Sequence, residues 1–221
     1  MPKFNSVLVV SAHPDDPDFG AGGTIAKLAK NGSRVVYAIV TDGSQGGEDP
    51  KQKDSELVAI REKEQKAAAK VLGVKKVEFL GYKDGHLSPD LKLRHDIVRM
   101  IRKYKPELVI THLPGRVLDG PMGGSHPDHL AVGEATMAAV YPDSRNPRAF
   151  RSLLKEGFEP HEVDPTEARS RHRPTLLPRL QQPGDSGRAR RFGAHDRDPI
   201  EPGSSTLESG ARRICRSRLL T

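Results

Sequence analysis

Hydrophobic positions along the first two thirds of the chain follow two alternating periods. Val7-Leu8-Val9-Val10 and Val35-Val36-Tyr37-Ala38-Ile39-Val40 are continuous apolar runs, the pattern of strands buried on both faces. Val77-Glu78-Phe79-Leu80 and Leu108-Val109-Ile110 supply two shorter runs. Helical spacing fills the intervals. Residues 21–31 place Ile25, Leu28 and Ala29 on one side, and Gly32 follows where helices end in a left-handed residue. Residues 56–72 carry Leu57, Ile60, Ala67, Ala68, Val71 and Leu72 on a stripe closed by Gly73. Leu93, Ile97, Met100, Ile101 and Tyr104 repeat at helical spacing up to Pro106. Ser88-Pro89 ahead of them reads as an N-cap and a first helical residue. Residues 128–140 predict a fourth helix through Leu130, Val132, Ala135 and Ala139. Residues 146–157 predict a short fifth one with Phe150, Leu153 and Leu154 on its apolar side.

Four β-α alternations imply an α/β fold with a doubly wound, mostly parallel sheet and right-handed crossovers. Such sheets bind ligands beyond the carboxyl ends of their strands. Chemistry is therefore expected in residues 11–20, 41–55, 81–88 and 111–127. The periodicity stops after Val163. Residues 164–221 hold six prolines, five glycines, no valine and one aromatic, Phe192. Their scattered apolar residues cannot offset the entropy of ordering, so this stretch is expected to be a disordered basic tail.

Charge divides at the same point. The formal net charge is +7. Residues 1–163 carry 24 Lys and Arg against 22 acids, whereas residues 164–221 carry 12 Arg, no Lys and 7 acids. The basic balance thus belongs mainly to the tail. Hydrophobic residues are 35% of the chain and no apolar run reaches the roughly 20 residues of a membrane helix. The N-terminus lacks a secretory pattern, and Cys215 is the only cysteine, which excludes an intramolecular disulfide and thiolate metal sites. A cytoplasmic location is expected.

Two segments stand out at the carboxyl edge. The first apolar run leads into Ala12-His13-Pro14-Asp15-Asp16, and the loop after the fourth ends in His126-Pro127-Asp128-His129. One His-Pro-Asp alone reads as a turn. Two at one sheet edge, each extended by another ligand-type residue, point to a metal centre of imidazole and carboxylate. Two histidines and one carboxylate leave a coordination position open for water, and the remaining groups are free to handle protons. Gly20-Ala21-Gly22-Gly23 does not read as a dinucleotide loop, because an acidic His-Pro-Asp-Asp-Pro-Asp segment stands where the phosphate turn belongs.

The Ala-His-Pro-Asp-Asp segment, the glycines Gly20, Gly22 and Gly23, and His-Pro-Asp-His resemble, in order, the PIG-L/LmbE-like family of N-acetylglucosaminyl deacetylases. The resemblance covers residues 5–163. It implies a Rossmann-like fold, a divalent metal (Zn2+, with Fe2+ or Co2+ as alternatives), and hydrolysis of an acetamide on a small amino-sugar substrate. His13, Asp16 and His129 match the metal ligands. Asp15 matches the general base toward the attacking water, and His126 the group that stabilises the oxyanion and helps protonate the leaving amine. Asp128 is suited to orient a histidine. Arg61, in Arg61-Glu62-Lys63-Glu64, and Asp84, in Tyr82-Lys83-Asp84-Gly85, fit the family as substrate contacts, although a solvated helix charge and a turn would look the same. Asp42-Gly43 reads as a turn lining the pocket, His112 receives no role, and His86, His95 and His161 read as surface or packing residues.

The family continues past a segment like Glu159-Pro160-His161 into a further strand and helices, which residues 164–221 do not resemble. The first 163 residues are thus expected to be a deacetylase domain incomplete at its C-terminal end. The switch from lysine to arginine is what a shifted reading frame in a GC-rich gene produces. The competing reading is a basic tail that binds nucleic acid. Three functions follow: a metal-dependent amino-sugar deacetylase, an inactive relative that keeps its metal, or a nucleic-acid-binding protein acting through the tail. The oligomeric state stays open, a homo-oligomer included.

Overall fold

A computed structural model describes residues 3–116 and 126–163; the expectations for residues 164–221 lie outside the described residues. The elements run β1 (Ser6–Ser11), α1 (Asp16–Lys30), β2 (Arg34–Thr41), α2 (Asp54–Val71), β3 (Lys76–Tyr82), α3 (Leu91–Tyr104), β4 (Leu108–Thr111), α4 (Pro127–Ala138) and α5 (Arg151–Lys155). The four strands are all parallel, in the order β3-β2-β1-β4. The expected α/β class and parallel sheet are therefore observed.

Alternation along the strands explains why the central ones are apolar throughout. Leu8, Val10, Val36, Ala38 and Val40 face a core completed by Leu93, Ile97 and Ile101 of α3 and Val132 and Ala135 of α4. Val7, Val9, Val35, Tyr37 and Ile39 face the opposite core, completed by Ile25 and Leu28 of α1 and Ala69 of α2. Helices cover both faces, which makes the sheet doubly wound. The chain moves outward from β1 through β2 to β3, then returns to the other side of β1 with β4. That reversal puts the switch point between β1 and β4, where such sheets hold ligands.

Boundaries depart from the pattern in four places. Helix α1 begins at Asp16, five residues before the apolar stripe, because Pro17 and the acids Asp16 and Asp18 suit a first turn. The N-cap of α3 is Asp90 rather than Ser88, and its side chain accepts the Leu93 N–H at 2.8 Å. Helix α4 ends at Ala138 and widens into an irregular turn through Asp143. Helix α5 begins only at Arg151, since Phe150 sits in the left-handed region with φ 48°.

Arg102 of α3 is a buried cation that the apolar pattern did not single out. It is 1% exposed. Its guanidinium donates to the carbonyls of Asp143, Ser144, Asn146 and Ala149 at 2.9–3.1 Å, holding the segment after α4 against α3. Among the described residues no helix is long and apolar enough to cross a membrane.

Candidate active site

Three carboxyl-edge loops and the start of α4 converge beyond β1. The β1 loop carries His13 to Asp16. Asp15 caps α1 with φ 86°, a left-handed conformation that non-glycine residues rarely adopt outside Asn and Asp. Its N–H donates to the Gln65 Oε1 on α2 at 2.5 Å, and its carbonyl accepts from Asp18 and Phe19. The turn is thus clamped from both sides, and it directs Asp15 and Asp16 differently. Asp16 turns back toward β1, where its Oδ2 accepts the His13 N–H at 2.8 Å. Asp15 points outward, with its side chain 53% exposed.

Helix α4 brings the second motif. His126 is its N-cap, Pro127 its first residue, and the His126 Nδ1 accepts the Asp128 N–H at 3.2 Å. Asp128 is fully buried and accepts the N–H groups of Gly85 and Leu87, tying α4 to the loop after β3. Its Oδ2 also lies 3.2 Å from the His13 Nε2.

The side chains matched to metal ligands meet. His13 Nδ1 to Asp16 Oδ2, His13 Nδ1 to His129 Nε2, and Asp16 Oδ1 to His129 Nε2 are each 3.2 Å. Donors at 2.0–2.1 Å from a tetrahedral zinc stand roughly 3.3 Å apart, close to these distances, in which Asp16 offers Oδ2 toward His13 and Oδ1 toward His129. Overlapping groups, His13 with His126 and His129, Asp16 with His112 and His129, and His13 with Asp84 and Asp128, also bring donor atoms within 4.8 Å of one another.

The charges respond to this crowding. Burial opposes ionisation of Asp16, but the surrounding imidazoles of His112, His129 and His13 outweigh it and hold the carboxyl far below its usual range. Burial disfavours a proton on His13, yet Asp16, Asp84 and Asp128 together push its pKa up. For Asp15, burial raises the pKa and the Arg61 guanidinium only partly opposes it. Burial and then the neighbouring His13 lower the pKa of His126. In the neutral ring, with Nδ1 accepting from Asp128, the proton resides on Nε2.

The two expected substrate contacts occupy different settings. Arg61 reaches from α2 to the β1 loop, where its Nη2 donates to the Pro14 carbonyl at 2.7 Å and to Asp15 Oδ2 at 2.9 Å. A Cβ on Gly46 would fall 1.6 Å from its Nη1, so a glycine there leaves the guanidinium its place. Asp84 is 5% exposed; its Oδ1 lies 3.1 Å from His13 Nε2 and its Oδ2 accepts the Gln45 N–H at 3.0 Å. It lines the same cavity as Arg61, His13, His126 and His129, a space of about 360 Å³.

His112 belongs to this site although it carried no role in the sequence. Its Nε2 accepts the Ala12 N–H at 3.0 Å, and its ring stacks on that of His129 with centroids 4.0 Å apart and planes 12° apart. Its position was the available signal: it directly follows β4, whose Thr111 pairs with Val10 of β1.

Comparison with known proteins places the chain in a family. The pattern of the PIG-L family, described as GlcNAc-PI de-N-acetylase, matches residues 8–140. The chain belongs to the PIG-L family. A PIG-L relative from Thermococcus kodakarensis, diacetylchitobiose deacetylase, is 38% identical over 171 residues, which are 77% of this chain and 62% of the relative. The 1D-myo-inositol 2-acetamido-2-deoxy-alpha-D-glucopyranoside deacetylase of Actinosynnema mirum is 30% identical over 207 residues, covering 81% of this chain and 69% of that protein. The solved N,N'-diacetylchitobiose deacetylase of Pyrococcus horikoshii, complexed with its inhibitor MPG, superposes with a TM-score of 0.68 at 35% identity, over 73% of this chain and 58% of that one. The chain thus spans less than two thirds of the length of both diacetylchitobiose deacetylases.

Proposed function

We propose that this chain is a metal-dependent amide hydrolase that removes the acetyl group from an N-acetylglucosamine-type conjugate. The observation that carries the reading is the convergence of His13, Asp16 and His129, whose side chains approach pairwise to 3.2 Å through one or the other Asp16 oxygen, with the outward carboxylate of Asp15 beside them. Membership of the PIG-L family and the named activities of its relatives supply the substrate class. Zn2+ is the ion we assign, Fe2+ or Co2+ being compatible with the same donors. When bound, such an ion polarises an acyl oxygen and acidifies water.

The residues of the chain divide the remaining work. His13, Asp16 and His129 hold the ion, and Asp128 fixes the ring of His13 through Nε2. Asp15 accepts the proton of the attacking water, its raised pKa suiting a base that must later return the proton. The same proton then passes to the departing nitrogen, which makes the amine a viable leaving group. His126 donates its Nε2–H to the oxygen that gains charge. Arg61 holds Asp15 in place and, with Asp84, borders the sugar site.

The test is acetate release from N-acetylglucosamine conjugates by the zinc-loaded protein, with and without chelator. Release that stops on chelation supports the reading. Stoichiometric zinc without acetate release would replace it by that of an inactive relative.

A further inference from the structure

A second cavity of about 620 Å³ runs between α1 and α2. It shares Asp15, Gly46 and Arg61 with the 360 Å³ site and so adjoins it across the Asp15–Arg61 pair. Both volumes lie within the ~300–1,000 Å³ span of small-ligand pockets. Its walls mix two chemistries. Phe19 is 89% exposed and Ile60 45% exposed, and Leu57 lies beside them. Asp18, Gln52 and Glu64 interleave hydrogen-bonding groups with these apolar side chains.

The charge of the groove is one-sided. Arg61 is the only cation among its lining residues, and its guanidinium already bonds Asp15. Asp18, in the first turn of α1, accepts from the Tyr37 hydroxyl and the Gln65 amide, two neutral donors, and has no cationic side chain among these partners. Glu64 adds a second carboxylate. An anionic group in this groove meets repulsion, whereas a ring with hydroxyls at its edge and C–H bonds on its face finds acceptors and an aromatic surface.

We propose that the α1–α2 groove is the subsite for the group attached to the acetamido sugar, and that it selects an uncharged, hydroxylated ring over a carboxylate-bearing one. The proposal rests on the deacetylase reading, because the acetamide must sit beside His13 and Asp15 for the attached group to reach the groove. Phe19 is the face against which the second ring stacks, and Asp18 and Glu64 form the filter.

The experiment compares three acetamides on the zinc-loaded full chain: N-acetylglucosamine, its β-1,4-linked disaccharide, and N-acetylglucosamine linked to a hydroxy-dicarboxylic acid. The disaccharide is expected to exceed the carboxylate conjugate in kcat/KM. Phe19→Ala is expected to lower the disaccharide-to-monosaccharide ratio about tenfold, the usual scale of one apolar contact in a specificity pocket. Glu64→Lys, at an exposed helix position, is expected to narrow the disadvantage of the carboxylate conjugate. An unchanged ratio in Phe19→Ala, or a wild-type preference for the carboxylate conjugate, overturns the subsite. A binding arm keeps the two readings apart: calorimetric titration with the deacetylated β-1,4 disaccharide, which needs no turnover. If wild type releases no acetate yet binding weakens in Phe19→Ala, the deacetylase reading fails and the groove stands. If acetate is released and neither binding nor the ratio responds to Phe19→Ala, the groove fails alone.

Discussion

Replacing Asp15 with Asn separates proton handling from ion binding, and the structure sets the size of each effect. The backbone at residue 15 has φ 86°, a conformation that Asn accepts as readily as Asp. The N–H bond to Gln65 is a main-chain bond and survives. What is lost is one ion pair with Arg61, on a carboxylate 53% exposed, worth at most about 1 kcal/mol. Thermal unfolding should therefore shift by no more than roughly 2–4 °C. The donor atoms of His13, Asp16 and His129 are untouched, so zinc content by plasma mass spectrometry should stay near wild type. Turnover should fall about 10²–10⁴-fold, the usual contribution of a general base, which corresponds to roughly 2.7–5.4 kcal/mol of barrier. Acetate release under saturating substrate reads it. If Asp15→Asn loses its zinc along with its activity, the roles of Asp15 and Asp16 are exchanged. If activity persists within a factor of a few, another group takes the proton.

Further outcomes follow from the same contacts. Because the Arg61 guanidinium lowers the pKa of Asp15 against the effect of burial, the acid limb of kcat/KM should move higher in Arg61→Gln than in wild type; a limb that moves down refutes the coupling. Asp16 has a folded pKa below its unfolded value of about 3.8, so its stabilisation is present above that pH and lost as the pH falls through it toward the folded pKa. In metal-free protein the stability gap between wild type and Asp16→Asn should narrow progressively as the pH falls below about 4, as urea titrations would show. Arg102→Met removes the donor from four carbonyls and should cost at least about 3 kcal/mol in the same titrations; a loss under about 1 kcal/mol would mean that water replaces the guanidinium freely. His112→Ala should weaken zinc binding about 10–100-fold by chelator competition, with His112→Phe, which keeps the stacked plane against His129, losing less.

What the sequence revealed follows from how locally each feature is encoded. Strands β1 and β2 are buried on both faces, so Val7–Val10 and Val35–Val40 are apolar at consecutive positions, and the run itself marks the strand. The paired His-Pro-Asp segments were legible because each supplies three ligand-type side chains within four residues. Asp84 was singled out as a sugar contact, but its proximity to His13 Nε2 depends on how the loop after β3 folds over β1, which no local pattern carries. His112 is one histidine after a four-residue strand, and its meaning comes from the β1–β4 register and the stack on His129. Arg102 breaks no helical rule in α3; that it is buried depends on carbonyls more than 40 residues away. Helix starts were misplaced where caps rather than apolar stripes decide them, as at Asp16 and Asp90.

The position of β1 between its partners also sets a timetable for the newly made chain. Its neighbour β2 follows at Arg34–Thr41, whereas β4 comes only at Leu108–Thr111 and α4 after it. Asp16 and His129 are 113 residues apart, an interval of roughly 6–23 s at 5–20 residues per second. Throughout it, one edge of β1 lacks its strand, and Val7 to Val10 are exposed to any other extended segment nearby. His13 and Asp16 are then only a two-point grip on a cation. An ion that requires all three donors is captured after α4 has docked, from whatever divalent metals surround the finished chain at that moment. Under the proposed function, the metal such a site would take depends on the compartment as much as on the ligands.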